Sequence, residues 1–170
     1  MPPNFNFPFV LSVFGAFVAS TVMARLYVWP ALRSMPRYDA LRVLAAVSAF
    51  RFEGMNFMVA GFVSPQLPSW FGGQVGWGDL TAAVLALLSM AALTWRWTFA
   101  LPIVWIFNLV GTADLLNAYF KGVTQISDPG LFGAGIYIPT VYVPILLISH
   151  ALIFMILLRA QSDHKKIVTA

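Results

Sequence analysis

Residues 98–120 read TFALPIVWIFNLVGTADLLNAYF, an apolar run with only a few polar side chains. An α-helix needs about 20 mostly apolar residues to cross the roughly 30 Å hydrocarbon core of a bilayer, and this run is long enough. Asn108, Asp114 and Asn117 lie inside it, and polar groups at that depth normally face a bundle interior or water. The run therefore predicts a membrane-spanning helix that packs against other helices.

The composition of the whole chain indicates the same class of protein. Of the 170 residues, 60% are hydrophobic and 9% are charged, and the mean hydropathy is +0.82. A soluble domain has about 45–50% apolar and about 25% charged residues, because its surface must face water. We therefore predict an integral membrane protein whose first partner is the lipid bilayer.

Four further segments have the length and composition of membrane spans. We predict an all-α membrane bundle, a single domain over residues 1–170, in which five transmembrane helices are followed by a cytoplasmic tail at 160–170. No Lys or Arg precedes the first span and no small-residue cleavage site follows it, so it is expected to be retained and not cleaved as a signal peptide. The predicted spans are about 7–31, 40–63, 79–95, 98–120 and 139–159.

Basic residues set the expected orientation, because cytoplasmic loops carry an excess of Lys and Arg. The loop between the first two spans holds Arg33, Arg37 and Arg42, and Lys165 and Lys166 follow the last span. This distribution predicts an outside N-terminus and a cytoplasmic C-terminus in a multi-pass protein of the cell's inner (plasma) membrane. It also explains the pI of about 9.8, so the basic excess does not indicate a nucleic acid partner.

Polar and charged residues inside the spans mark the candidate site, because a charged group in lipid costs about 2.5–3.5 kcal/mol or more and is normally functional. Three of them, Glu53, Asp114 and His150, are the candidates for proton exchange. The candidates for ligand binding are Arg51, Asn56, Asp79, Asn108 and Asn117.

Arg51 needs a partner from another span, because Glu53 is only two residues away and lies on a different helix face. Asp114 is the preferred partner and Asp79 the alternative. Gly54 follows Arg51 by three residues, and a small residue there lets the helices approach closely. An Arg–Asp pair of this kind can also be purely structural.

Three carboxylates face one Arg, so at least one acid must bind a proton or reach water. Glu53 is the acid expected to carry the proton. Asp79 is expected at the N-terminus of the third span, where the helix dipole favours an anion, either as a vestibule residue or only as the helix cap. His150 could absorb one negative charge, although a lone His on an apolar helix is more often a satisfied core residue.

Several kinds of site are excluded by residue counts. The chain has no Cys, so thiolate metal sites, disulfides and thiol nucleophiles are impossible. No span holds a Lys that could carry a retinal Schiff base, and His150 is the one His within the spans, so bis-histidine haem within one chain is excluded. No metal site is predicted, and the sequence does not identify a cofactor.

An ordered set of short motifs extends over about residues 51–159. It resembles a group of small, uncharacterised bacterial multi-pass membrane proteins, and this resemblance implies the fold and the membrane location. The motifs are R-x-x-G at Arg51 to Gly54, G-x-G-D at Gly76 to Asp79, N-x-x-G-x-x-D-L at Asn108 to Leu115, then Pro139, Pro144 and His150.

A more limited part of the chain resembles the emopamil-binding-protein superfamily of sterol isomerases and sterol-binding receptors. The shared features are Trp70-Phe71 before Asp79, and Tyr142-Val143-Pro144 at the start of the last span. Those proteins enclose an apolar cavity lined by acids, so the resemblance implies a similar cavity here.

The surplus of acids beneath Gly- and Pro-rich loops at 64–73 and 128–133 favours one function. It predicts a buried charged site, open to the outer side, that binds a small, largely apolar molecule or acts on it by acid–base chemistry. Arg51 would orient or neutralise an anionic group, Glu53 or Asp114 would exchange a proton, and His150 would relay it.

Two other classes of function stay open at this stage. The chain could be a noncatalytic subunit or assembly factor of a larger membrane complex, with other membrane subunits or further copies of itself as partners. It could also be a proton- or cation-coupled transporter, which the lack of an internal repeat disfavours. The sequence leaves open whether the protein is an enzyme.

Overall fold

The computed structural model describes residues 6–126 and 128–168, with side chains as far as Arg159. The described chain is helical apart from short connections and one isolated bridge between Ala60 and Val63. We number the main helices in chain order. They are α1 (Phe7–Ser34), α2 (Arg37–Ser48), α3 (Ser69–Thr94), α4 (Ala100–Gln125) and α5 (Val143–Val168).

Within the described residues, four helical segments are long and apolar enough to cross a membrane. They correspond to the first, third, fourth and fifth predicted spans. The first is α1, in which the π-helical turn Ala24–Val28 joins the α-helices Phe7–Met23 and Trp29–Ser34. The helices are therefore long and apolar enough for the membrane protein that the composition predicts. The four segments are Phe7–Ser34, Ser69–Thr94, Ala100–Gln125 and Ile138–Arg159.

The second predicted span, 40–63, has a different form from the other four. It consists of α2 followed by the 3₁₀ helix Ala49–Met58, and the chain then turns irregularly up to Pro68. The buried residues of the 3₁₀ helix are Arg51, Gly54 and Phe57, three positions apart. A 3₁₀ helix has three residues per turn, so these residues share one face, and this face packs on α3.

The third span was predicted at 79–95, but the helix that contains it begins earlier in the sequence. The helix α3 starts at Ser69, directly after Pro68, and includes four of the glycines assigned to an outer loop and a helix entry. Two of them, Gly72 and Gly76, allow the close packing of α3 on the 3₁₀ helix. A Cβ on Gly72 would lie only 2.7 Å from the carbonyl oxygen of Phe57. Packing between the two backbones therefore outweighs the low helix propensity of glycine.

The remaining elements lie close to their predicted positions. The helix α4 ends at Gln125, and the segment Pro129–Ile136, predicted as a loop, forms a short 3₁₀ helix. A π-helical turn at Ile138–Tyr142 leads into α5, whose backbone is helical to Val168. The predicted tail is thus helical as far as it is described. The side chains of Lys165 and Lys166 lie outside the described part.

Two apolar clusters occupy opposite ends of the bundle. One lies near the α3–α4 turn and includes Leu41, Val104 and Ile153, which are fully buried. The other is aromatic, with Phe57, Phe71 and Phe132 in ring contact. Between them lies a layer of buried polar side chains, which forms the candidate site.

Candidate functional site

Arg51 is the centre of a buried ion triad with Asp79 and Asp114. Its Nε donates to Asp79 Oδ1 at 2.7 Å, and its Nη2 donates to Asp114 Oδ2 at 2.6 Å. Its Nη1 donates to the carbonyl oxygen of Gly111 at 3.2 Å. The Arg51 side chain is completely buried, and the side chains of Asp79 and Asp114 are 10% and 16% exposed. Both partners considered from the sequence, the preferred Asp114 and the alternative Asp79, therefore bind the same guanidinium.

The triad lies near the middle of the bundle. Asp79 comes 10 residues after the first residue of α3 (79 − 69), and Asp114 comes 11 residues before the last residue of α4 (125 − 114). The two helices are antiparallel neighbours, so at 1.5 Å per residue both carboxylates are about 15 Å from the same end. Asp79 is therefore an interior residue of α3, and its predicted position at a helix N-terminus is wrong.

Three glycines create the space that the triad occupies. A Cβ on Gly54 would lie 2.1 Å from Asp79 Oδ2, and a Cβ on Gly78 would lie 1.9 Å from Asp114 Oδ1. A Cβ on Gly111 would lie 3.0 Å from Arg51 Nη1 and 2.7 Å from His150 Cε1. The sequence predicted the role of Gly54 but not that of Gly78, although Gly78 directly precedes Asp79.

A second buried polar pair, Asn108 and His150, lies on the other side of Gly111. Asn108 Nδ2 donates to the His150 carbonyl oxygen at 3.2 Å, which directs Asn108 Oδ1 toward His150 Nδ1 at 2.7 Å. This network assigns the proton of a neutral imidazole to Nδ1. His150 Nε2 then has only a lone pair, and it is buried without a hydrogen-bond partner among the described residues. The pair holds α4 and α5 together.

A cavity of about 270 Å³ opens next to the ion triad. Asp79 and Asp114 contribute its charged groups, at its inner end, whereas most of the remaining wall is apolar or aromatic. The cavity lies between the N-terminal end of α1, the 3₁₀ helix Ala49–Met58, α3, α4, the short helical segments Pro129–Ile136 and Ile138–Tyr142, and the start of α5. Lining residues include Phe9, Phe57, Leu115, Tyr119, Phe132 and Val143.

Both carboxylates line the cavity, and each keeps one oxygen that Arg51 does not bind. Asp79 Oδ1 and Asp114 Oδ2 accept the Arg51 hydrogen bonds. The second oxygen of each carboxylate lies against a glycine, Gly54 or Gly78, and accepts no hydrogen bond from the described residues. Arg51 itself does not line the cavity. The sequence predicted that Arg51 contacts a ligand. In the structure it instead lies behind the acids and fixes their positions.

Three of the residues selected from the sequence lie away from this cavity. Glu53 is exposed on the outside of the bundle, where its Oε2 accepts a hydrogen bond from Asn56 Nδ2 at 2.7 Å. Asn117 is exposed on α4. The structure thus brings together Arg51, Asp79 and Asp114, with the Asn108–His150 pair adjacent, and separates Glu53, Asn56 and Asn117 from them.

Sequence reasoning missed the residues that shape the cavity. Tyr119 lines it, and its hydroxyl donates to the Pro139 carbonyl oxygen. Phe57 and Phe132 lie at the aromatic end. Large apolar residues are abundant in every span, so no sequence signal distinguishes these from the lipid-facing ones. In the described residues, no group of three or more His, Asp or Glu side chains could hold a metal ion.

Comparisons with known proteins identify a family but no activity. No curated protein and no solved structure matches the chain. A family model described as "Domain of unknown function (DUF8737)" matches residues 8–158 and so covers the triad, the Asn108–His150 pair and most of the cavity. The chain therefore belongs to the DUF8737 family of domains of unknown function.

Proposed function

We propose that the protein binds a small, largely apolar molecule in the cavity beside the ion triad, or acts on it by acid–base chemistry. The observation that supports this most is the composition of the cavity wall, which is apolar apart from a few groups and has two carboxylates at its inner end. Ligand sites commonly combine an apolar lining with a few convergent polar groups. A structural ion pair alone does not need an adjoining cavity.

The roles of the site residues follow from their contacts. Asp79 and Asp114 each direct one oxygen away from Arg51, so these oxygens can accept a hydrogen bond or a proton from a bound molecule. Arg51 positions both acids and neutralises one of their two charges. His150 is not among the residues that line the cavity, and Glu53 is exposed on the outside of the bundle. Proton exchange is therefore assigned to Asp79 and Asp114.

We propose that the chain crosses the membrane five times, with α2 and the 3₁₀ helix Ala49–Met58 together forming the second crossing. At rises of about 1.5 Å per α-helical residue and about 2.0 Å per 3₁₀ residue, α2 and Ala49–Met58 together are about 38 Å long. This length exceeds the roughly 30 Å of hydrocarbon. With the basic residues of 33–42 on the cytoplasmic side, the N-terminus is outside and the cavity lies in the outer half of an inner membrane.

The position of the cavity favours a ligand that is dissolved in the membrane. Val10 on α1 and Val123 on α4 both line it, and they are 43% and 67% exposed on the surface of the bundle. The cavity therefore reaches the lipid-facing surface between these two helices. A molecule in the outer leaflet could enter there without crossing the polar loops.

Ligand protection of a single cysteine tests the proposal, because the chain has no native Cys. The variant Val123→Cys in phosphatidylcholine nanodiscs should react with a membrane-permeant maleimide, and added 1-decanol should slow this reaction by filling the cavity. The matched control is Val84→Cys, which is 55% exposed on α3 and does not line the cavity. Equal slowing at both positions, or no slowing at Val123→Cys, would contradict the proposal.

One observation favours a second function, that of a subunit in a larger membrane complex. Glu53 lies one residue from Gly54, which packs on Asp79, so it is near the triad's depth but on the outside of the bundle. A carboxylate facing lipid at this depth is costly. A neighbouring subunit that donates a hydrogen bond to Glu53 would remove this cost. Destabilisation of a purified complex by Glu53→Leu, with the isolated chain unaffected, would support this function.

A further inference from the structure

We infer that the bound molecule carries a single positive charge at the end that meets Asp79 and Asp114, as a protonated amine does. The inference rests on the proposed function, because it specifies the ligand of the same cavity. It follows from the charge at the inner end of the cavity, from the direction of the donors and acceptors there, and from the apolar remainder of the wall.

The charge of the triad is not balanced within the described residues. Two carboxylates share one guanidinium, which leaves one negative charge. None of the described residues that line the cavity is a cation. Lys121 precedes the cavity residue Gly122 on α4 but does not line the cavity itself. Its Nζ donates a hydrogen bond to Gln74 Oε1 and lies over the ring of Trp70. A monovalent cation in the cavity would therefore make the site neutral, which is favourable where water is scarce.

The hydrogen-bonding groups at the inner end are acceptors. Asp79 Oδ2 and Asp114 Oδ1 are unused, and all three guanidinium nitrogens of Arg51 point to other partners. The Tyr119 hydroxyl donates to the Pro139 carbonyl oxygen and so has no hydrogen left for a ligand. An ammonium group has N–H donors for both free oxygens, whereas a carboxylate or phosphate would find no free donor there and would meet two like charges.

The rest of the wall specifies an organic cation. Phe9, Leu115 and Val143 line the cavity together with further apolar side chains, and these groups cannot replace the hydration shell of an inorganic ion. An apolar tail of medium length would contact them instead. The inferred ligand class is thus an amphiphile with one cationic end and one apolar end.

Three probes of equal chain length test the inference: 1-decylamine, 1-decanol and decanoate. At about pH 7.5 the amine is almost fully protonated, since alkylammonium groups such as that of Lys have a pKa near 10.4. The readout is the protection of Val123→Cys in zwitterionic nanodiscs, with each probe's concentration in the membrane measured directly. We expect the amine to protect at concentrations about tenfold lower than the alcohol, and decanoate not to protect.

The variant Asp114→Asn removes one negative charge while preserving the shape of the side chain. In this background we expect the advantage of the amine over the alcohol to fall below about threefold, because the remaining Arg51–Asp79 pair is neutral. The three probes are also compared in the protein that carries Val123→Cys alone, and that comparison does not depend on the stability of the Asp114→Asn variant.

The outcomes distinguish the inference from the function on which it rests. Equal protection by the alcohol and the amine, or stronger protection by decanoate, would overturn the cationic ligand and leave the cavity as a binding site. Absence of protection by all three probes, or equal slowing at the Val84→Cys control, would overturn both. An amine advantage that persists unchanged in Asp114→Asn would overturn the assignment to the triad's charge.

Discussion

Replacing Arg51 by Ala should destabilise the protein more than the loss of any other basic residue. The change removes two ion pairs and one hydrogen bond, and it leaves Asp79 and Asp114 close together without a cation. Removing one partner of a buried pair costs about 3–5 kcal/mol in soluble proteins. With about 4 kcal/mol, and about 2–4 °C per kcal/mol for a chain of this size, the melting temperature should fall by about 8–16 °C.

Thermal unfolding in a mild detergent, followed by circular dichroism across pH, measures this loss. The carboxylates left behind can each bind a proton, which relieves their repulsion, so the loss should be smaller at about pH 5.5 than at about pH 7.5. The matched control is Arg33→Ala, because Arg33 is exposed. Its substitution should change the melting temperature by no more than about 1–2 °C.

Removing the stranded charges as well should restore stability. The double variant Arg51→Ala with Asp114→Asn still buries Asp79 unpaired, so only part of the loss should return. The triple variant that adds Asp79→Asn removes every charge of the triad and should recover more than half of the loss. A triple variant as unstable as the sum of the single changes would refute the reasoning, as would an Arg51→Ala variant no less stable than the Arg33→Ala control.

Two further predictions concern packing and topology. Gly54→Ala should lower the free energy of unfolding by about 1–3 kcal/mol, because its Cβ would lie 2.1 Å from Asp79 Oδ2. The control Gly73→Ala, where nothing lies within 4 Å of the added Cβ, should be neutral or stabilising, and equal effects of the two changes in thermal unfolding would contradict this. In intact cells an impermeant maleimide should label Ser69→Cys directly and Ser34→Cys only after permeabilisation, since the two residues are proposed to lie on opposite sides of the membrane. The reverse pattern would move the cavity to the cytoplasmic half.

The positions of the helices were largely predictable because apolar runs about 20 residues long have few alternatives to a membrane span. The exceptions lie where packing outweighs local preference. Glycine-rich sequence before Asp79 predicts a loop, but the missing side chains allow α3 to extend back to Ser69 against the 3₁₀ helix. The 3₁₀ form of Ala49–Met58 also depends on this packing, and nothing in its composition distinguishes it from an α-helix.

The candidate site was predictable in its members but only partly in its geometry. A buried Arg needs carboxylates from other helices, so Asp79 and Asp114 could be named. The spacing of residues within one helix, however, does not show which residues of other helices it contacts. The sequence could therefore not show that both Asp79 and Asp114 bind the guanidinium of Arg51. The outward direction of Glu53 does not depend on the helix type, because two residues after the buried Arg51 the chain has turned about 200° in an α-helix and about 240° in a 3₁₀ helix. The cavity depends on how seven helical elements meet, which no single segment specifies.

The 3₁₀ form of Ala49–Met58 links the two ends of the cavity mechanically. Arg51 at one end of this segment holds the acids, and Phe57 at the other lies among the aromatic rings. If the ten residues became α-helical, the segment would shorten by about 5 Å and each residue would advance about 100° instead of about 120° around the axis. Arg51 and Phe57 would then no longer face α3 together. A ligand that displaces the aromatic rings would therefore also shift the guanidinium of Arg51, because the 3₁₀ helix between Phe57 and Arg51 would move as one rigid element. The occupancy of the cavity and the position of the buried charge would thus be coupled.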